Sequence, residues 1–159
     1  MIFITLGSQK FQFNRLLRAV DELIEKGIIA DKVFAQIGYN DYKPKHYEYK
    51  QFLDRDEFAT LEDKCNILIS HGGTGAIIGA VKKGKKVIAV PRLAKYGEHV
   101  DNHQLQIVEQ FQKMGFICEC LDPNNLEEAI DRVKKTTFKK YESNTNKIID
   151  SIDEFVQRL

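Results

Sequence analysis

Six consecutive residues, Ser70-His71-Gly72-Gly73-Thr74-Gly75, stand between the apolar run Ile67-Leu68-Ile69 and a segment in which Ala76, Ile77, Ala80 and Val81 keep helical spacing. Glycines lack a Cβ, so Gly72, Gly73 and Gly75 let backbone N–H groups come close to a ligand. The helix that opens behind them points the positive end of its dipole the same way. The chemistry this pattern offers is anion binding, phosphate above all. A second polar cluster, Glu98, His99, Asp101, Asn102 and Gln104, follows the next apolar run, Val87–Val90, and Pro91. Such side chains read hydroxyl groups, and a nucleotide sugar carries both a phosphate anion and hydroxyls.

Plainer readings account for each cluster alone. A glycine-rich strand-to-helix turn also serves as a tight connection. Asp101 and Gln104 have the spacing of a capping box, in which the first side chain caps a helix and the Gln reaches back. The combination is what points to a ligand. Both clusters follow strands, which places them on one carboxyl edge, where open parallel sheets bind.

The elements that must carry this edge are legible along the chain. Ile2–Leu6 is a continuous apolar run, the pattern of a strand buried on both faces. Gly7-Ser8-Gln9 turns the chain at the same edge, and Leu16, Leu17, Val20, Leu23 and Ile24 form a helical stripe that Gly27 ends. Val33–Ile37 reads as a second strand and Tyr49–Leu53 as a third. Asp54–Lys64 reads as a short helix. Ile67–Ile69, Val87–Val90 and Phe116–Leu121 complete six strands. A helix from about Asn102 is expected to turn Leu105, Val108 and Phe111 inward and to end at Gly115. Asp122-Pro123 opens a helix through about Thr136, and residues from Tyr141 onward read as a last helix with Ile148, Ile149, Ile152, Phe155, Val156 and Leu159 on one stripe. The expected fold is α/β: a Rossmann-like parallel sheet of about six strands with helices on both faces, in a single nucleotide-sugar-binding domain over 1–159.

Asp54-Arg55-Asp56 invites comparison with a metal-holding D-x-D pair. Acidic residues just ahead of a helical stretch are its ordinary cap and dipole partners, and no further ligand stands nearby, so no metal site is expected. Lys+Arg 24 against Asp+Glu 23 leaves a net charge of +1, which provides no field for nucleic acid. The local excess at Lys82, Lys83, Lys85, Lys86, Arg92 and Lys95 fits a solvated helix end or a contact with an anionic surface. Three cysteines, Cys65, Cys118 and Cys120, without a C-x-x-C pair, fit reduced thiols in a cytosolic compartment. No apolar run reaches the length of a membrane span, and the N-terminus is expected not to be a signal peptide.

These residues resemble the donor-binding, C-terminal half of the family 28-type GT-B glycosyltransferases. They are most similar to its stand-alone version, in which a second polypeptide supplies the acceptor lobe. That version includes the two-subunit N-acetylglucosaminyltransferase acting on dolichol-linked oligosaccharide and the capsule and exopolysaccharide pairs. FITLGSQKF at the start, ISHGGTGAIIGAVKKGKKVIAVP in the middle, DNHQ after it and termination at 159 residues carry the resemblance.

Carried over by position, the resemblance makes Gly7, Ser8, His71, Gly72, Gly73, Thr74 and Gly75 the diphosphate contacts of a UDP-sugar. It makes Asp101, Asn102 and Gln104 readers of sugar or ribose hydroxyls. Arg92, Glu98 and His99 fall in a donor loop, Glu98 and His99 within a GEH segment of the polysaccharide branch. The implied protein is one subunit of an inverting, metal-independent glycosyltransferase that needs no cofactor and adds a hexose to a lipid-linked saccharide. Its general base would sit on a membrane-anchored acceptor-lobe partner, which would hold the chain at the cytoplasmic face of the membrane. A non-catalytic nucleotide-binding regulatory module is the competing reading. Gly73-x-Gly75-x-x-x-Gly79 is near a dinucleotide fingerprint, but Pro91-Arg92 replaces the acidic residue expected after the next strand.

Overall fold

A computed structural model describes residues 1–144. Six strands form one parallel sheet in the order β3-β2-β1-β4-β5-β6. They are β1 (Ile2–Thr5), β2 (Val33–Gln36), β3 (Glu48–Lys50), β4 (Ile67–His71), β5 (Lys86–Val90) and β6 (Cys118–Glu119). The central strands β1 and β4 are buried at every residue, as their unbroken apolar runs require.

Side chains alternate across a strand, so each strand feeds two cores. Ile2, Ile4, Ile69, Ile88 and Val90 pack on one face beneath α1 (Asn14–Glu25) and α5 (Leu126–Lys135). Phe3, Leu68, Val87 and Ala89 pack on the other, beneath α2 (Arg55–Lys64), α3 (Thr74–Lys82) and α4 (His103–Lys113). Cys118 and Cys120 share the first core, and the three free thiols are all buried.

Several boundaries differ from the sequence expectation for local reasons. β3 covers Glu48–Lys50 rather than Tyr49–Leu53. Past Lys50 the chain pairs only through Gln51 O, which accepts from Gly38 N, and then turns so that Leu53 N meets Gln36 Oε1. β6 shrinks from the expected six residues to two, because Phe116 still belongs to the turn that closes α4. Pro123 opens a 3-10 turn (Pro123–Asn125), capped by the Asp122 side chain, and α5 begins only at Leu126. In α4 the inward residues are Gln104 and Val108, with Ile107 and Phe111 packed beside them, whereas Leu105 is only half-buried. The apolar stripe expected near the C-terminus lies, from residue 145 on, outside the described residues. Among the described residues no helix is long and apolar enough to cross a membrane.

The lysine-rich segment at the end of α3 lies at the amino end of β5, away from the glycine turn. Its charges are locally engaged: Lys83 Nζ pairs with Glu62 (2.7 Å) and Asp63 (2.8 Å), and Lys86 Nζ donates to Lys134 O (2.8 Å).

Candidate functional site

The carboxyl ends of β1 and β4 open into a cleft of about 730 Å3. Gly7 and Ser8 line it from the turn after β1, His71 to Gly75 from the turn after β4, and His99 and Gln104 from the loop and helix after β5. The structure thus brings together nine of the expected residues from segments far apart in sequence.

The helix behind the turn is left open. Asp54 caps α2 in a full capping box with Glu57, which satisfies donors that a helix start leaves free and gives Asp54 its role. No side chain caps α3, whose start at Thr74 and Gly75 is exposed on the cleft. Its free N–H groups and dipole are available to an anion.

The glycines do more than expose backbone. A Cβ on Gly73 would stand 2.3 Å from His71 Cε1, and one on Gly7, at φ 71°, would stand 2.7 Å from His71 Nε2. The imidazole therefore lies in a hollow that two glycines leave. A Cβ on Gly72 would meet Gln104 Cβ at 2.8 Å, while Gly75 faces open space. Two of the three glycines that the sequence offers as room for a ligand are thus room for the protein's own side chains.

His71 is buried, and Gln104 Nε2 lies 3.2 Å from its Nδ1. Burial, and then the charge of Arg92, pushes its pKa from 6.5 down to about 3, so the ring is neutral at physiological pH. The unfolded chain's imidazole titrates near 6.5, so below that pH it binds a proton that the folded chain refuses. Stability is therefore complete above about pH 6.5 and falls as the pH drops toward about 3, by at most about 1.4 kcal/mol per pH unit from this group. Urea midpoints measured at about pH 7 and about pH 5 should show the drop, and His71→Gln should make it shallower.

Other expected residues sit elsewhere. The capping box of Asp101 and Gln104 is not formed: Asn102 stands at the cap position and Gln104 is turned into the core. Asp101 Oδ1 accepts from His103 N (2.9 Å) and lies 3.1 Å from His99 Nδ1. Asn102 Oδ1 accepts from Ala94 N (3.0 Å). These two close the loop and are not on the cleft wall. Arg92 is buried, its Nη2 donating to Leu6 O (2.8 Å) and Phe11 O (3.2 Å), so it ties the turn after β1 to the end of β5. Burial lowers its pKa to about 10, which leaves it charged. Glu98 accepts from Arg15 Nε (2.9 Å) and Nη2 (3.1 Å) and from Leu93 N (3.0 Å). These contacts give Arg92 and Glu98 the work of shaping the loops rather than of lining the cleft.

The cleft also has residues that sequence reasoning missed. Glu62 of α2, nearly buried and paired with Lys83, lines it beside Gly79, where a Cβ would stand 3.4 Å from Glu62 Oε1. A carboxylate only accepts hydrogen bonds, which suits hydroxyl groups. Glu62 lies on the helix whose leading acidic residues read as cap and dipole partners, and only the missing side chain at Gly79 hints at space for it. Among the described residues no group of three or more His, Cys, Asp or Glu is placed to hold a metal ion.

Residues 1–159 match the glycosyltransferase family 28 C-terminal domain. The chain belongs to this family. Its relatives include the protein named "UDP-N-acetylglucosamine transferase subunit ALG13" in Candida glabrata, 35% identical over 96 residues, covering 59% of this chain and 43% of that protein. The protein of the same name in Homo sapiens is 26% identical over 128 residues, covering 75% of this chain and 11% of that one. The family 28 chain thus spans less than half the length of these relatives. Among solved structures, the glycotransferase of kitacinnamycin aligns with a TM-score of 0.64 at 16% identity, over 85% of this chain and 35% of that one. MurG of Acinetobacter baumannii aligns with 0.59 at 15%, over 84% and 41%. The α/β fold expected from the sequence, a six-stranded Rossmann-like sheet with helices on both faces, is therefore that of this family and of the C-terminal lobes of GT-B enzymes.

Proposed function

We propose that the chain is the donor-binding part of a glycosyltransferase, holding the diphosphate of a UDP-sugar over the turn after β4. The observation that carries this is the uncapped start of α3 facing a cleft lined by His71, Ser8 and Thr74. Cleavage of the glycosidic bond places negative charge on the departing diphosphate. A helix start, a neutral N–H donor and backbone donors stabilise that charge as it forms, without a metal or a cofactor. Asp101 and Asn102 keep their expected hydroxyl-reading role only if the loop after Glu98 rearranges on binding, whereas Glu62 already faces the cleft.

An inverting displacement also needs a group to take the acceptor's proton. His71 cannot, since the neutral ring takes up a second proton only near pH 3. We assign the base, the acceptor site and the membrane anchor to a partner polypeptide, which keeps this chain peripheral at the cytoplasmic face. The relatives' name, a transferase subunit, supports a partner and puts N-acetylglucosamine first among the hexose-type donors to be tried. The GEH segment and the resemblance favour a lipid-linked acceptor of capsule or exopolysaccharide assembly.

Calorimetric titration of the purified chain should show UDP binding and no NADP(H) binding. Transfer from UDP-sugar to a soluble acceptor should be slight for the chain alone and rise at least a hundredfold with the partner, since base catalysis alone contributes roughly 10²–10⁴. High turnover by the isolated chain would contradict the assignment. His99, on the cleft and 3.1 Å from Asp101, would then be the base to remove.

A further inference from the structure

We propose that Gln104 is a positioning residue that holds the His71 ring with its proton on Nε2, the nitrogen presented between Gly7 and Gly73. The argument is one of donors and acceptors. Arg92 N can only donate, and it lies 3.1 Å from one terminal atom of Gln104, which must be the amide oxygen. The other terminal atom is then the NH2 group, which can only donate, and it lies 3.2 Å from His71 Nδ1. Nδ1 therefore spends its lone pair on Gln104. A neutral imidazole has one N–H, and it is left on Nε2.

The side chain that enforces this is itself locked. Gln104 is buried, both of its polar ends are engaged, and its Cβ lies where a side chain on Gly72 would stand. On the other side of the ring, Nε2 has no hydrogen-bond partner among the described residues. It lies 2.7 Å from where a Cβ on either Gly7 or Gly73 would stand, on the wall of the cleft. The amide so arranged aims an N–H donor at the place proposed for the diphosphate. Had the amide been reversed, Nδ1 would carry the proton and a bare lone pair would face the anion. Gln104 thus acts through His71, a role beside the hydroxyl reading that its position in the family pattern implied, for which the amide keeps a second N–H. The tautomer stands on the structure alone, while its consequence for ligand binding rests on the UDP reading.

Ring ¹⁵N spectra of His71 in the full chain without ligand test the first part, and calorimetry with UDP tests the second. In the wild type, Nε2 should show the shift of a protonated nitrogen and Nδ1 that of a bare one. In Gln104→Glu the carboxylate accepts from Nδ1–H, so the proton should appear on Nδ1 and UDP affinity should fall at least tenfold. Gln104→Met, which adds no charge, should show both tautomers and a threefold or greater loss. A protonated Nδ1 in the wild type overturns the proposal, and so does an unchanged tautomer in both variants. A shifted tautomer with undiminished UDP affinity in both variants overturns the positioning role. If Gln104→Glu fails to fold, the wild-type spectrum and Gln104→Met decide. A wild type with Nε2–H that binds no UDP supports the tautomer assignment and refutes the UDP reading instead.

Discussion

Alanine at position 73 is expected to abolish nucleotide binding and to destabilise the fold by about 1–3 kcal/mol, the usual range for an overpacked site. The backbone there, φ −78° and ψ 122°, suits any residue, so the effect is steric alone. The added Cβ would stand 2.3 Å from His71 Cε1. The ring has little room to shift: Gln104 lies against Nδ1, and Nε2 already fills the space that a side chain on Gly7 would take. Either the imidazole leaves its hollow and takes its donor with it, or the turn moves and spoils the start of α3. Gly75→Ala is the control for stability, since Gly75 itself faces the proposed ligand. Nothing lies within 4 Å of its new Cβ, and alanine inside a helix is favoured over glycine by about 0.5–1 kcal/mol. Urea denaturation and UDP calorimetry on the two variants check both statements. Wild-type affinity in Gly73→Ala would show that the ring does not need the hollow.

Glu98→Ala is expected to cost about 3 kcal/mol of stability. Glu98 is 1% exposed and accepts from two nitrogens of Arg15 and from Leu93 N. Removing one member of a buried pair costs about 3–5 kcal/mol, because the other charge is stranded. The lower end applies here. Arg15 is 22% exposed and keeps Asp122 at 3.6 Å and the face of Tyr96 at 4.3 Å. Glu98→Gln still offers an oxygen to Leu93 N and should lose about 1–2 kcal/mol. Chemical denaturation reads both. Glu98 is not on the cleft wall, so UDP affinity of the Gln variant should stay within about twofold, well under the 1.4 kcal/mol that a tenfold change represents. A large loss of affinity with stability intact would place Glu98 against the ligand.

What could be read from the chain and what could not divide along one physical line, the range of the interactions involved. Ile2–Leu6 and Ile67–Ile69 announced buried parallel strands because a strand covered on both faces needs apolar residues throughout. Gly27 and Gly115 ended their helices with φ near 72° and 79°, a conformation glycine adopts at no steric cost. The edge strand β3 falls short of its expected place because Glu48, Tyr49 and Lys50 are all exposed and carry no burial pattern to set their register. Asp101 and Gln104 matched a local motif, yet Gln104 is claimed by His71, 33 positions away. Glu98 finds Arg15 across 83 residues. Glu62 reaches the cleft only because a neighbouring helix has a glycine facing it. None of these pairings leaves a periodic trace, so the composition of the pocket wall emerges only from packing, while its location on the carboxyl edge followed from the order of strands and turns.

The guanidinium that spans from β5 to the carbonyls of Leu6 and Phe11 has a bearing on how the molecule is made. Its two anchors leave the ribosome more than eighty residues before it does, and the amide that orients the histidine follows twelve residues later still. A nascent chain can pair its first strands early, but the cleft proposed to hold the anion cannot be complete until Gln104 has emerged. Synthesis halted short of that point would leave the proposed donor cleft without the side chain that orients its histidine, so on the reading above a nucleotide would favour only the finished fold and not its early stages.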